Sequence, residues 1–335
     1  MLDILRKLCT LPGPSGTEDA VRDYIIEQAR PFADEMMTDP MGSLIVFKKG
    51  ARAPAKKLML AAHMDEVGVI VTGITDDGYL RFDFVGGVDR RVTIGKKVYI
   101  NGHPGVIGLK AYHLVDAAER TKIPKLSSMY IDIGAKNKAE AEGIVSLGDT
   151  GVFEDTVVEF GNGMIKARAI DDRVGCAIML KLITEPLPVD TWFAFTVQEE
   201  VGCRGANAAA FNVKPDIAII LEGTTAADMP SQKGADKVCI PGRGPVIPFM
   251  DGSTVYDRRL FEKLRTLAET NGIPWQTKTY ISGGTDASVI QRTAGGARVA
   301  AVSAAVRYIH SPSCVACKED AENMLRLARL FMETL

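Results

Sequence analysis

His63 and Asp65 follow a short apolar run, and their types and spacing could do chemistry. The run at residues 58–62 predicts a buried strand. Alternation in extended backbone directs His63 and Asp65 to one side and Met64 to the other. A neutral imidazole beside a carboxylate could hold a metal ion, or the two could form an ordinary hydrogen-bonded pair. This segment alone leaves both interpretations open.

Further carboxylates and a second histidine stand where predicted strands end or where a predicted helix begins. These residues are Asp171, Glu199, Glu200, Glu222 and His310. In an open α/β sheet the carboxyl ends of the strands converge on one crevice, so we expect these side chains to meet. Taken singly, each could equally be a helix cap or a loop acid.

Two imidazoles and several carboxylates form a ligand set that suits zinc or a neighbouring divalent metal. So many like charges would repel one another in a cleft without cations. Consecutive side chains on an extended segment point in different directions. One of Glu199 and Glu200 could therefore bind metal while the other acts as a general base. The sequence pattern does not say which.

Alternating strands and helices must position these side chains. The predicted strands lie at residues 43–47, 58–62, 191–197, 216–221, 277–281 and 298–302. The predicted helices lie at residues 21–29, 172–182, 206–211, 257–268, 285–292 and 320–334. A capping-box spacing at residues 15–18 would begin the first of these helices. The alternation predicts an α/β fold with a mixed sheet sandwiched by helices.

Residues 67–166 differ in pattern from the rest of the chain. Short β-like runs, including one at 152–159, are separated by Gly, Asp and Asn turns, with little helical periodicity. This predicts a small inserted β-barrel-like domain. The α/β domain would then consist of residues 1–66 and 167–335, with the insertion at 67–166 between its halves.

Composition excludes several classes of protein. The chain has 335 residues and a net charge of −2, which gives no reason to expect nucleic acid or an anionic membrane as a partner. No apolar run has the length of a membrane span. The N-terminus predicts an amphipathic helix and not an export signal, so we expect a cytoplasmic protein. Six cysteines in this length do not form a disulfide framework, and we expect Cys314 and Cys317 to be reduced thiols.

Six segments resemble the motifs of the glutamyl-aminopeptidase/tetrahedral (TET-type) metalloaminopeptidase family, whose members were often labelled cellulase M-like or endoglucanases. They are LPGPSG at 11–16, AAHMDEVG at 61–68, KARAIDDRVG at 166–175, VQEEVG at 197–202, GGTD at 283–286 and RYIHSP at 307–312. The motifs occur in the family's order and cover nearly the whole chain.

The resemblance implies two divalent metal ions in each subunit, zinc or else cobalt or manganese. Asp171 would bridge them. His63 and Glu222 would complete one site, and Glu200 and His310 would complete the other. The family often has Asp where this chain has Glu222, so that ligand arm is longer here.

The resemblance also implies roles for residues beside the metals. Glu199 would be the general base, and Asp65 would orient His63. The peptide bond between Asp171 and Asp172 is often cis in such enzymes. The segment 283–286 permits two interpretations: a turn with a helix N-cap, or a wall of the substrate pocket with exposed backbone N–H groups.

The predicted function is a metalloaminopeptidase that acts on short peptides. By resemblance the insertion would be a dimerisation domain, and the dimers would assemble into a tetrahedral dodecamer. The alternatives are a metal-dependent deacylase, a non-enzymatic binding module and an endoglucanase. An endoglucanase needs two carboxylates and no metal, and the two histidines at ligand positions argue against it. Acidic, basic and neutral N-terminal specificities all occur in the family, so the preferred residue stays open.

Overall fold

The chain folds into a nine-stranded mixed sheet with helices on both faces and a separate closed barrel. The computed structural model describes residues 1–154 and 156–335, and of Glu119 the backbone alone. The strands are β1 (Glu35–Thr38), β2 (Leu44–Lys48), β3 (Leu58–His63), β4 (Gly68–Ile74), β5 (Leu80–Val85), β6 (Lys97–Ile100), β7 (His103–Gly108), β8 (Tyr130–Asp132), β9 (Thr150–Phe153), β10 (Val158–Phe160), β11 (Met164–Ala167), β12 (Thr191–Thr196), β13 (Ile217–Ala226), β14 (Arg298–Arg307) and β15 (Cys314–Cys317).

Helices precede and follow the barrel in sequence, and two short ones lie within its stretch of the chain. They are α1 (Leu2–Thr10), α2 (Asp19–Ala29), α3 (Ala117–Arg120), α4 (Lys138–Glu142), α5 (Ile170–Ile183), α6 (Arg204–Val213), α7 (Arg258–Thr270), α8 (Ala287–Ile290) and α9 (Lys318–Glu333). Short 3₁₀ helices lie at Arg90–Val92, Tyr112–Leu114, Leu126–Ser128 and Gly234–Lys237. No helix in the described ranges is long and apolar enough to cross a membrane.

Strand β3 lies in the interior of the large sheet, fourth of its nine strands. The strand order is β1-β2-β12-β3-β13-β14-β15-β11-β10. The central strands β12, β3, β13 and β14 run parallel to one another, and the flanking pairs are antiparallel. The carboxyl ends of these four parallel strands therefore share one edge of the sheet.

The two faces of β3 pack into two different apolar cores. Leu58 and Leu60 lie in the core beneath α1, α2, α5, α7 and α9. Met59 and Ala61 lie in the core beneath α6 and α8. Both faces of a strand in a parallel region are covered, which is why residues 58–62 form a continuous apolar run without alternation. The predicted mixed sheet sandwiched by helices is confirmed.

The barrel is made of β4, β5, β8, β7, β6 and β9, in that order around it. It has its own core, and β5 shows how its residues alternate: Leu80 and Phe82 are buried, while Arg81 and Asp83 are exposed. The six strands fall between Gly68 and Phe153. An inserted small β-barrel, as the sequence predicts, is therefore present.

The predicted single run at 152–159 is wrong, because it is two strands in different sheets. Strand β9 closes the barrel, whereas β10 pairs with β11, which pairs with β15 in the large sheet. The division into residues 1–66 with 167–335 and an insertion at 67–166 stays a prediction. Within the predicted insertion, β10 and the part of β11 up to residue 166 belong to the large sheet.

Three other local predictions are wrong in whole or in part. Residues 277–281 form no strand, because their polar groups bond to turns and not to a neighbouring strand; Thr279, for example, donates its N–H to the carbonyl of Val238 at 3.0 Å. The helix predicted at 285–292 shortens to α8. No side-chain cap begins α2 at the predicted capping box. The Ser15 hydroxyl donates instead to Asp65 Oδ2 at 2.6 Å.

Candidate metal centre and substrate cleft

His63 is the last residue of β3 and is almost completely buried. Its Nδ1–H donates to the carbonyl of Asp65 at 3.0 Å, which fixes the tautomer and turns Nε2 inward. Nε2 lies 3.4 Å from Asp171 Oδ1 and 3.3 Å from Glu222 Oε1. A bare lone pair would therefore face two carboxylate oxygens, unless Nε2 carries a proton or a metal ion.

His310 lies just beyond another strand, and its two ring nitrogens have the same kinds of neighbour as those of His63. It follows β14 by three residues and adopts a left-handed φ of 56°. Its Nδ1–H donates to the carbonyl of Gly87 at 3.1 Å, and Gly87 belongs to the segment between β5 and β6. Nε2 lies 3.1 Å from Glu200 Oε2 and 3.5 Å from Asp171 Oδ2.

Asp171 lies between the two histidines. It stands at the start of α5, where the peptide bond to Asp172 is cis and both residues leave helical φ/ψ. Its Oδ1 is buried and accepts no hydrogen bond among the described residues. The Asp172 carboxylate turns away from the cleft and accepts hydrogen bonds from the backbone N–H groups of Gly175 and His63.

The five predicted ligands form two groups that share Asp171. One group is His63, Asp171 and Glu222, and the other is Asp171, Glu200 and His310. Within each group the ligand atoms lie within 4.8 Å of one another. The structure therefore brings together all five residues selected from the sequence. Glu222 lies inside β13, which continues to Ala226. The sequence pattern instead predicts a strand that ends at residue 221, just before Glu222.

The ligand atoms have the spacing of a metal site. Atoms bound to a tetrahedral zinc ion with bonds of about 2.1 Å lie roughly 3.4 Å apart. The distances from the histidine Nε2 atoms to their facing carboxylates fall between 3.1 and 3.5 Å. The partnerless Oδ1 of Asp171 is a further acceptor that a cation would satisfy. The residues present thus fit two divalent cations.

The electrostatics of the cluster agree with this fit. Burial raises the pKa of Glu200 to about 8, and burial with Asp172 raises the pKa of Glu222 well above its usual range. Burial lowers the pKa of His310, but Asp171 and Glu200 outweigh it and raise the pKa to about 9. Without a cation, burial thus favours the protonated forms of Glu200 and Glu222.

Asp65 holds the segment that carries both glutamates. The backbone N–H of Glu199 donates to Asp65 Oδ1 at 2.9 Å, and that of Glu200 donates to Asp65 Oδ2 at 3.1 Å. Ser15 donates to the same Oδ2. The Asp65 carboxylate lies farther from His63, at 3.4 Å from Nδ1. The contact of Asp65 with the backbone of Glu199 and Glu200 could not be predicted from the sequence.

Glu199 lies beside the metal ligands in a group of its own. Its carboxylate meets Cys203 and Asp286, and the Cys203 thiol donates to Glu199 Oε1 at 3.4 Å. Burial raises the pKa of Glu199 to about 7. Cys203 could not be predicted from the sequence, because it stands directly after the VQEEVG motif and carries no signal of its own.

A cleft of 490 Å³ opens onto these groups. Its walls include His63, Asp171, Glu199, Glu200, Glu222 and His310, and also Asp251, Lys278, Gly283, Gly284, Thr285 and Arg292. The side chain of Asp286 does not cap α8 but accepts from the Thr196 hydroxyl at 2.5 Å. Residues 283–285 line the cleft, and the segment also leads into α8, where the Ala287 N–H donates to the Thr285 hydroxyl at 3.3 Å, so the two interpretations of 283–286 do not exclude each other.

Comparisons with known proteins agree on one family. The model of the M42 glutamyl aminopeptidase family matches residues 42–327. A relative from Acetivibrio thermocellus, provisionally named an aminopeptidase, is 42% identical over 98% of this chain and 97% of its own. The lysyl aminopeptidase of Pyrococcus furiosus is 31% identical over 99% of this chain and 97% of its own.

The fold is also shared with solved structures. The TET1 peptidase of Pyrococcus horikoshii, which can assemble into a tetrahedron or a large octahedral shell, superposes with a TM-score of 0.87. It is 33% identical, over 100% of this chain and 99% of that chain. The fold and the matching model define an aminopeptidase, a hydrolase of peptide bonds. The chain belongs to the M42 glutamyl aminopeptidase family.

Proposed function

We propose that this protein is a dinuclear metalloaminopeptidase that removes N-terminal residues from short peptides. The observation that carries the proposal is the pair of ligand groups that share Asp171 and open onto one cleft. His63 and Glu222 would hold one divalent cation with Asp171, and Glu200 and His310 would hold the other. The mixed imidazole and carboxylate donors suit zinc, with cobalt or manganese as alternatives.

The bound cations would supply Lewis acidity for the scissile carbonyl and for the attacking water. Glu199 would act as the general base: its carboxylate takes the proton from the attacking water and passes it to the leaving amine. Two observations support this role. Its pKa of about 7 suits a group that exchanges a proton near neutral pH. The hydrogen bond from its backbone N–H to Asp65 fixes the position of the residue.

We further propose that residues 1–66 and 167–335 form the catalytic domain and that the barrel within 67–166 mediates dimerisation. Large apolar side chains are exposed on this segment: Tyr112 is 73% exposed and Leu147 is 67% exposed. Burying such groups against a second copy would be favourable. By likeness to the TET1 peptidase, we also propose that the dimers assemble into a tetrahedral dodecamer. The proposed location is the cytoplasm.

Aminoacyl fluorogenic amides test the function. The enzyme supplied with zinc, cobalt or manganese should release the fluorophore from amides with a free α-amine, and chelation by EDTA should abolish this release reversibly. N-acetylated versions of the same amides should be inert. Activity that survives verified metal removal would refute the dinuclear mechanism. Turnover of N-acyl amino acids in preference to free amines would indicate the deacylase, and metal-independent cleavage of cellulose oligomers would indicate the endoglucanase.

A further inference from the structure

A third group of metal-binding side chains lies beside the two groups that share Asp171. It consists of Glu199, Cys203 and Asp286, whose oxygen and sulfur atoms lie within 4.8 Å of one another. Glu199 follows β12, Cys203 directly precedes α6, and Asp286 directly precedes α8. Neither Cys203 nor Asp286 uses its side chain to cap the helix it precedes. Three separate elements thus direct these side chains to one point, and helix capping does not explain the grouping.

One oxygen of this group has no hydrogen-bond donor. Asp286 is 1% exposed, and its Oδ2 accepts from the Thr196 hydroxyl at 2.5 Å. Its Oδ1 is buried and accepts no hydrogen bond from the described residues. The Cys203 thiol has a single hydrogen, which it donates to Glu199 Oε1 at 3.4 Å, so it cannot also satisfy Asp286. A buried acceptor left without a partner is costly, and a cation at this point would satisfy it.

The group is negative and can be reached from solvent. In the described ranges, no lysine, arginine or histidine forms a direct ion pair with Glu199 or Asp286. Glu199 and Cys203 line the cleft of 490 Å³, so an ion can enter from there. A thiolate together with carboxylates favours zinc or its softer homologue cadmium over manganese or magnesium, which prefer oxygen ligands alone.

We propose that Glu199, Cys203 and Asp286 form a third cation site, distinct from the two that share Asp171, and that zinc or cadmium bound there inhibits the enzyme. The inhibition rests on the proposed function, in which Glu199 is the general base. A carboxylate that holds a cation cannot take the proton from the attacking water. The site is thus a means by which excess metal stops the reaction that metal otherwise supports.

The third site should fill after the other two. Binding breaks the S–H bond of Cys203, releases the proton to solvent and joins the sulfur to the cation. Burial raises the pKa of the Cys203 thiol, so the cation must displace a firmly held proton. Inhibition should therefore appear only when metal exceeds two ions per subunit.

Cadmium binding tests the site itself. The full-length protein loaded with two zinc ions per subunit should take up one further cadmium ion, measured by native mass spectrometry, with the ultraviolet absorption of a cadmium–thiolate bond. Cys203→Ala and Cys203→Ser should both lose this ion and this absorption, and melting temperatures check that the variants fold. Cys317→Ala is the matched control, because Cys317 is a buried thiol outside the group, and it should keep both signals.

Inhibition tests the consequence. Hydrolysis of an aminoacyl fluorogenic amide is followed while cadmium is added, and each variant is compared with its own rate before the addition. The cadmium concentration that halves the rate should rise at least tenfold in Cys203→Ala, since even a residue behind a metal ligand changes affinity by this much. Cys317→Ala should be inhibited like the wild type. Manganese should inhibit the wild type only at far higher concentrations than cadmium.

Two results would overturn the inference. One is a wild type that binds no cation beyond two per subunit in excess cadmium. The other is an equal half-inhibiting concentration in the wild type and both Cys203 variants, because cadmium would then act elsewhere, for example by displacing zinc.

The binding measurement also keeps this inference apart from the proposed function. If no aminoacyl amide is hydrolysed but cadmium binds with the Cys203-dependent absorption, the aminopeptidase proposal fails and the third site stands. If amides are hydrolysed but no such absorption appears, the aminopeptidase proposal stands and the third site is overturned.

Discussion

Glu199 and Glu200 are neighbours in the chain but have different surroundings. Glu200 Oε2 lies 3.1 Å from Nε2 of His310, among the proposed metal ligands. Glu199 Oε1 instead receives the thiol hydrogen bond of Cys203. The two carboxylates diverge, as the sequence pattern suggested, but the segment is not extended: β12 ends at Thr196, Gln198 has a left-handed φ of 57°, and a turn begins at Glu199. The structure thus distinguishes the surroundings of the two glutamates.

Replacing each glutamate by glutamine should therefore give two different defects. Glu199→Gln should bind both metals and lose roughly 10²- to 10⁴-fold in kcat, the usual worth of a positioned general base. Glu200→Gln should lose occupancy of one metal and regain part of its activity in excess metal. Metal content by mass spectrometry, measured beside kcat, checks both expectations.

Glu27→Gln, at an exposed position on α2, serves as the control and should match the wild type in both measurements. If Glu199→Gln is the variant that loses metal, the two roles are reversed. If neither variant loses metal or activity, the dinuclear mechanism is wrong.

At the scale of elements, much of the fold follows from apolar runs. Residues 58–62 and 191–196 form strands whose side chains are covered on both faces, and the convergence of their ends followed from parallel pairing. What could not be predicted depends on contacts between distant segments. Ser15 meets Asp65 across 50 residues of sequence, and Lys278 lies in a segment whose polar groups bond to turns. No local pattern encodes such contacts.

Strand β13 passes directly beneath Asp171, at Gly223. A Cβ atom at position 223 would lie 2.8 Å from both Cβ and Oδ1 of Asp171. Gly223→Ala should therefore displace Asp171 and weaken both metal sites together. Metal titration followed by activity should show at least a tenfold loss of apparent affinity, the scale of a disturbed metal site.

Gly295→Ala is the matched control, because a Cβ at position 295 meets no atom within 4 Å. It should titrate like the wild type. Unchanged metal affinity in Gly223→Ala would mean that Asp171 is not confined by β13.

Two buried ion pairs, both made by Glu66, connect the segment where the chain enters the barrel to the segment that follows β11. Glu66 lies just before β4, and Arg168 and Arg173 lie after β11. Glu66 Oε2 accepts from Arg168 Nε at 2.7 Å, and Glu66 Oε1 accepts from Arg173 at 3.3 Å and from the backbone N–H of Gly13 at 3.2 Å.

Glu66→Gln should destabilise the protein by about 3–5 kcal/mol, because it leaves two buried guanidinium groups without their counter-charge. Urea unfolding of the metal-loaded protein measures this loss. Glu269→Gln, which breaks an exposed pair with Arg265 on α7, should change stability by less than about 1 kcal/mol. Equal losses of unfolding free energy in the two variants would show that burial does not determine the cost of breaking an ion pair.

At the scale of the whole molecule, metal binding and folding should be linked. The five proposed ligands come from β3, the start of α5, the segment after β12, β13 and the segment after β14, so they meet only when the large sheet is assembled. A cation that binds the folded state alone stabilises it by mass action. Removal of metal should therefore lower the melting temperature, and readdition should restore it.

Light scattering after size-exclusion chromatography should follow the same samples. The metal-replete protein should elute as a dimer or a larger assembly, and chelation can shift that mass downward. A metal-replete monomer would refute barrel-mediated dimerisation. Melting that stays unchanged after verified metal removal would contradict the link between metal and fold.

The position of β3 in the middle of the large sheet has a consequence for synthesis on the ribosome. Its two neighbours, β12 and β13, emerge long after it, and His310 follows them near the end of the chain. At about 5–20 residues per second, roughly 10 to 50 s separate the emergence of His63 from that of His310. An unfinished chain therefore holds at most part of the ligand set. If hydrolysis depends on the five proposed ligands, a nascent copy stays inactive until His310 has emerged and cannot attack the new N-termini around it.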